Sequence, residues 1–154
     1  MINLRTCGTC IKCCDGNLDV VINEHVVQKG SPCPYVSIHT GCTIYHDPNK
    51  PSICSEFECS WKKDHHIPEW LKPEHSNVII VYKMFEGMDY TQAIETDSVV
   101  LSAQALNWLI TDAIKWKSNL VYQIGSRGFY CMGSVAFCEA WMKKNNGVGI
   151  AYAE

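Results

Sequence analysis

CGTCIKCC, residues 7–14, sets Cys7, Cys10, Cys13 and Cys14 in two successive C-x-x-C steps followed by an adjacent cysteine. Two intervening residues let a tight turn bring a pair of sulfurs to about 4 Å apart on one metal, and glycine at position 8 tolerates the backbone angles of such a turn. The last two cysteines behave differently. Neighbours in an extended segment send their side chains in opposite directions, so Cys13 and Cys14 do not chelate one ion together, and one of them serves a second metal or bridges.

Working outward, the next cysteines arrive as Cys33 in SPCPY, Cys42 in TGCTIY, and Cys54 with Cys59 in ICSEFEC, each beside proline or glycine or within a short turn. Eight of the chain's ten cysteines therefore fall between Cys7 and Cys59, and eight thiolates suit two four-coordinate sites. The amino terminus, MINLRTCGTC, has only Arg5 as a positive charge and no apolar core of a secretory signal. A cytoplasmic protein is expected, and in a reducing compartment dense cysteines bind metal more often than they form disulfides. The competing reading is a disulfide framework or a set of buried thiols. Zinc held by four thiolates is tetrahedral and closed, whereas C-x-x-C-x-x-C with a distant Cys-Pro also suits a [4Fe–4S] cluster, and spacing leaves both open. Arg5, Lys12 or Lys50 is expected to offset the excess negative charge.

In order and spacing, CGTCIKCC, CPY, GCTIYHDPNKPSIC and FECSW, covering residues 7–61, resemble the YkgJ-type cysteine-cluster family. Its members are described as zinc- or iron-chelating domains and named for their C-x-x-C-x-x-C-C motif. The resemblance carries the family's eight cysteines onto Cys7, Cys10, Cys13, Cys14, Cys33, Cys42, Cys54 and Cys59. Family members commonly have a basic residue after the cysteine of the Pro-x-x-Cys stretch, where this chain has Ser55. Beyond Trp61 the resemblance is weak, although short members carry a similar α+β tail. Flagellin lysine N-methylases resemble the family through the same cluster. What the resemblance implies is thus a metal-binding protein holding zinc or iron, with an iron–sulfur enzyme of methyl transfer as the alternative; whether the chain is an enzyme stays open.

The rest of the chain reads as an α+β fold in one domain, 1–154: an irregular, metal-bound cysteine-cluster region, 1–62, packed on a small sheet-plus-helices region, 63–154. Leu18 to Ile22 is expected to be a strand, with a helical turn from Asn23 through Gln28 stopped by Gly30. Pro32, Pro34, Pro48 and Pro51, with Gly41 and Asn49, break up longer elements and leave little core, so metal ligation is expected to supply folding energy. Further on, Asn77–Phe85 and Asp89–Thr96 read as a hairpin across Glu86–Gly87. Ser102 caps a helix with Leu106, Leu109, Ile110, Ala113 and Ile114 on one face. Asn119–Ile124 and Gly128–Met132 form a second strand pair, and Ser134 opens a helix over Val135–Lys144 that Asn146–Gly147 closes.

A formal net charge of −3, from 13 basic and 16 acidic residues with no run of five like charges, argues against nucleic-acid or anionic-membrane partners. A metal ion is the expected partner, and a protein partner stays open. Apolar stretches such as Val78–Val81 fall far short of the roughly twenty residues needed to cross a bilayer. Cys131 and Cys138 read as buried thiols. His65, His66 and His75 read as a surface loop, while His46, between Cys42 and Cys54, is the histidine best placed near the metal. GVGIAY near the carboxyl end has only two glycines of a dinucleotide loop and is set aside. No catalytic or organic-cofactor residue is assigned.

Overall fold

The computed structural model describes residues 5–152. The chain divides into two compact units, Met1–Ile79 and Ile80–Glu154. Residues 63–79 therefore group with the cysteine-rich unit, to which hydrogen bonds from Arg5 to the Asp64 and Ile67 carbonyls and from Thr9 to Glu74 tie them.

In the first unit, β1 (Val20–Ile22) pairs antiparallel with β2 (His25–Val27). The expected helical turn after Asn23 is not formed. Asn23 and Glu24 both take positive φ, 48° and 69°, which is the two-residue turn whose twist matches a hairpin. The hairpin directs Ile22 and Val27 into a small core with Cys33. A second small pair follows, β3 (Val36–Ser37) with β4 (Gly41–Cys42). Three short helices complete the unit: α1 (Ser52–Glu56), α2 (Ser60–Lys63) and α3 (Pro73–Ser76), with a 3-10 turn at Glu69–Leu71. Helices of one turn leave no hydrophobic period in the sequence, which is why only turns were legible there.

The second unit is built on a five-stranded sheet in sequential order. Its first strand, β5 (Val78–Phe85), begins at the junction and is joined to β6 (Met88–Glu95) through Glu86 and Gly87, both at positive φ. From β6 the chain runs through α4 (Ala103–Trp116) to β7 (Asn119–Gln123), which lies parallel to β6. Antiparallel β8 (Phe129–Gly133) follows, and α5 (Val135–Asn145) leads to β9 (Val148–Ala151), parallel to β8. The fold is α+β with a mixed sheet.

Both expected caps are present. Ser102 Oγ accepts from the Ala105 N–H at 3.1 Å and Ser134 Oγ from the Phe137 N–H at 3.2 Å, each satisfying a donor that the first helical turn leaves over. The buried stripe of α4 is Ala105, Leu109 and Ala113, while Ile114 is 54% exposed, so the face is rotated from the one expected. Small residues at both ends of that stripe let a helix approach its neighbour closely, and the larger Leu106 and Ile110 flank the contact. The GVGIA segment is an edge strand paired with β8. Among the described residues, no helix is long and apolar enough to cross a membrane.

Phe137 of α5 anchors the second core with Val121, Cys131, Cys138 and Trp141. Its ring meets Phe85 edge-on at 6.3 Å and Tyr90 at 5.4 Å. Phe137→Ala is expected to destabilise this unit by about 3–5 kcal/mol, since it removes a fully buried ring and leaves a cavity. A urea titration followed by circular dichroism measures it, and an unmoved midpoint would contradict this core.

Candidate metal centre

The amino-terminal cysteines sit on a chain of tight turns. Cys10 N–H donates to the Cys7 carbonyl at 2.9 Å and Cys14 N–H to the Ile11 carbonyl at 2.8 Å, with Gly8 at a φ of 57° in the first C-x-x-C step. Two contacts tie distant loops to them. Cys33 N–H donates to the Cys14 carbonyl at 2.8 Å. Gly41 lies so close to the first turn that a Cβ there would stand 2.4 Å from the Gly8 carbonyl oxygen, so only glycine fits.

Cys7, Cys10, Cys13 and Cys59 form one neighbourhood. A hydrogen bond joins the sulfurs of Cys13 and Cys59, which lie far apart in sequence; it holds the Cys13 thiol well above its ordinary range, helped by burial, and the Cys59 thiol below it. Backbone N–H groups of Lys62 and Trp61 and the Lys62 ammonium further favour the Cys59 thiolate. Burial and the nearby Cys59 raise Cys7, against Lys62 and a hydrogen bond from the Tyr45 hydroxyl. At Cys10 burial dominates and raises the thiol, opposed by the N–H groups of Lys12 and Glu74.

A second neighbourhood holds Cys14, Cys33, Cys42 and Cys54. Burial, then Cys33, Cys42 and Cys54 in turn, push Cys14 up to about 12; Cys7 acts on it least. Cys33 and Cys54 are both raised, by burial first, with Cys42 acting on each and Cys33 also acting on Cys54. The Tyr35 N–H opposes the shift at Cys33, and the Lys50 ammonium opposes it at Cys54. Packing gives the same grouping, since Cys14 and Cys54 lie against the core of Ile22, Val27 and Cys33.

All eight cysteines named from sequence are thus brought into these two neighbourhoods. Their donor chemistry, soft thiols with N–H groups and ammonium groups directed at them, fits zinc or an iron–sulfur cluster. Among the described residues, no three Cys, His, Asp or Glu side chains stand close enough as placed to hold an ion.

Of the expected charge partners, Lys50 faces Cys54. Lys12 contributes its backbone N–H. Arg5 acts on backbone carbonyls and on Glu69. Its guanidinium donates to the carbonyls of Trp61 at 2.6 Å, Asp64 at 2.9 Å and Ile67 at 2.7 Å, pairs with Glu69 at 3.0 Å, and lies 4.8 Å over the Trp61 ring. This fork fastens the chain just before Cys7 to the segment that follows Cys59.

Lys62 and Tyr45 were not found by sequence reasoning. Burial works against the Lys62 charge, yet Glu58 and the Tyr45 hydroxyl hold its ammonium above the ordinary range. The Tyr45 ring also lies beneath Lys50 at 5.1 Å, which places one ring between the cations of the two neighbourhoods. Its position shortly after Cys42 was the available signal.

His46 meets the ring of its chain neighbour Tyr45 edge-on at 4.9 Å. His65, His66 and His75 lie in the segment between α2 and the end of α3. Cys131 and Cys138, 1% and 2% exposed, are core thiols of the second unit, and Cys138 Sγ donates to the Ile150 carbonyl at 3.6 Å.

No protein family, no curated protein and no solved structure matches the chain.

Two measurements follow from this geometry. Arg5→Ala removes a charged fork from three carbonyls and is expected to cost the first unit about 2–3 kcal/mol, with Arg5→Lys recovering part; an unchanged urea midpoint in R5A would show that the fork carries no weight. Burial, then Cys138, pushes the Cys131 thiol up to about 12, so it keeps its proton as pH rises from about 7 to about 9 and stays a poor nucleophile. Iodoacetamide at about pH 9 should leave Cys131 unmodified in the folded protein and alkylate it in urea, as read by peptide mass spectrometry.

Proposed function

We propose that this chain is a cytoplasmic metal-binding protein related to the YkgJ-type family, holding zinc or an iron–sulfur cluster through Cys7, Cys10, Cys13, Cys14, Cys33, Cys42, Cys54 and Cys59. The observation that supports it is the sulfur contact between Cys13 and Cys59, set among six further thiols of the same unit and answered by Lys50, Lys62 and backbone N–H groups. A fold that only buried cysteines would surround them with apolar groups, as the second unit does with Cys131 and Cys138. Here cations and N–H donors oppose the burial that raises most of the thiols, and at Cys59, together with the Cys13 contact, they prevail. The acidic balance supports the absence of a nucleic-acid or anionic-membrane partner.

Metal analysis and an absorption spectrum on protein purified without oxygen test the reading. A colourless protein with stoichiometric zinc, or a brown one with iron and sulfide in cluster ratio, is the expected result, and Cys10→Ser and Cys54→Ser should each lower the metal content. The iron outcome would make S-adenosylmethionine binding the next measurement. Protein free of both metals, with C10S and C54S melting like the parent, would overturn it.

A further inference from the structure

The eight thiols are not one pool. Cys33 is pinned by its backbone to Cys14 and shares a core with Cys14, Cys54 and Val36, and Val36 is the register partner of Cys42 across the β3–β4 pair. That packing assembles four cysteines without reference to their charge. The remaining four are assembled by other contacts: the Cys7–Cys10 turn, the sulfur hydrogen bond between Cys13 and Cys59, and the Arg5 fork that holds residue 5 against the carbonyls at 61, 64 and 67. Tyr45 and Gly41 touch the first turn from the loop that carries Cys42, so the two groups abut.

We propose that the first unit carries two separate tetrathiolate centres, one on Cys7, Cys10, Cys13 and Cys59 and one on Cys14, Cys33, Cys42 and Cys54, each taking a single soft divalent cation of the zinc type. This inference rests on the metal-binding reading above. Adjacent Cys13 and Cys14 supply one ligand to each centre, Cys13 through its contact with Cys59 and Cys14 through its packing with Cys33 and Cys54. Four thiolates on one ion is the closed, tetrahedral arrangement that zinc takes, with sulfurs at about 2.3 Å. As placed, the four sulfurs of each set share a neighbourhood but not a coordination sphere, and the ion draws them together on binding.

The ligand order along the chain makes the centres nested. The Cys14–Cys54 ligands all lie inside the span from Cys13 to Cys59, so the outer centre closes a loop that contains the whole of the inner one. With Cys14 and Cys54 already on one ion, only the short segment to Cys59 remains to be ordered, which lowers the loop-closure entropy of the outer centre. Linkage makes the help mutual, because an outer ion equally brings Cys14 towards Cys54. The two ions should therefore bind with positive cooperativity.

Cadmium-113 NMR on the full chain, stripped of metal and titrated with cadmium, tests the partition. Two resonances are expected at two equivalents, and proton–cadmium correlation in the unmutated protein should connect one to the Cys7, Cys10, Cys13 and Cys59 β-protons and the other to the second four. Cys59→Ser and Cys7→Ser should lose the same resonance, and Cys33→Ser and Cys42→Ser the other, each variant keeping one cadmium per chain. A single resonance, one ion correlated to cysteines of both sets, or a native brown protein with one four-iron cluster overturns the partition while leaving metal binding intact. A chain that takes up no cadmium, zinc or iron overturns the metal-binding reading itself.

Discussion

Cys13 and Cys14 are joined by one peptide bond, and their side chains go to different companions: Cys13 to Cys59, Cys14 to Cys33, Cys42 and Cys54. Both stand in a turn, not in an extended segment, so it is these distant companions that part the two thiols and split the first unit into two polar neighbourhoods. The loops between them are then constrained from both sides. Gly41 must be glycine because its loop passes against Gly8, and Tyr45 stands where it touches Lys50, Lys62 and Cys7 at once.

Strands of two or three residues and helices of four or five bury little apolar surface themselves, and beside buried Trp61, Ile67, Leu71, Val78 and Ile79 the first unit uses tethers between distant points of the chain. The Arg5 fork is one of them. It meets three carbonyls of the segment after Cys59, and Lys72 at 5.3 Å joins it in holding cations over the Trp61 ring. The sulfurs are a second set of tethers with a different character. Without a cation, burial pushes most of these thiols towards their protonated form; a bound divalent ion would reverse that balance, because it is the largest charge in such a site and takes thiolate directly.

The second unit needs none of this. A five-stranded sheet, two capped helices and a core centred on Phe137 are held by burial and ladder hydrogen bonds. Its cysteines show the contrast within one chain. Cys131 and Cys138 have each other, the Ile150 carbonyl and apolar neighbours, and burial rather than a nearby ammonium group dominates the state of both thiols.

The sequence by itself determined the elements whose signals are local: the Glu86–Gly87 turn between two β-rich runs, the Ser102 and Ser134 caps, the stop at Asn146, and a dense set of eight cysteines in one half of the chain. The parting of Cys13 and Cys14 is not among these, because both stand in a turn where the expectation had an extended segment, and their companions are distant in sequence. Tertiary structure decided what depends on contacts between distant residues. The turn at Asn23–Glu24 became a hairpin because Ile22 and Val27 bury against Cys33, a partner that no local window contains. Arg5 became a fork on carbonyls, and Lys62 took a place beside Cys7 and Cys59, because approach in space, and not spacing along the chain, sets which charge a thiol meets.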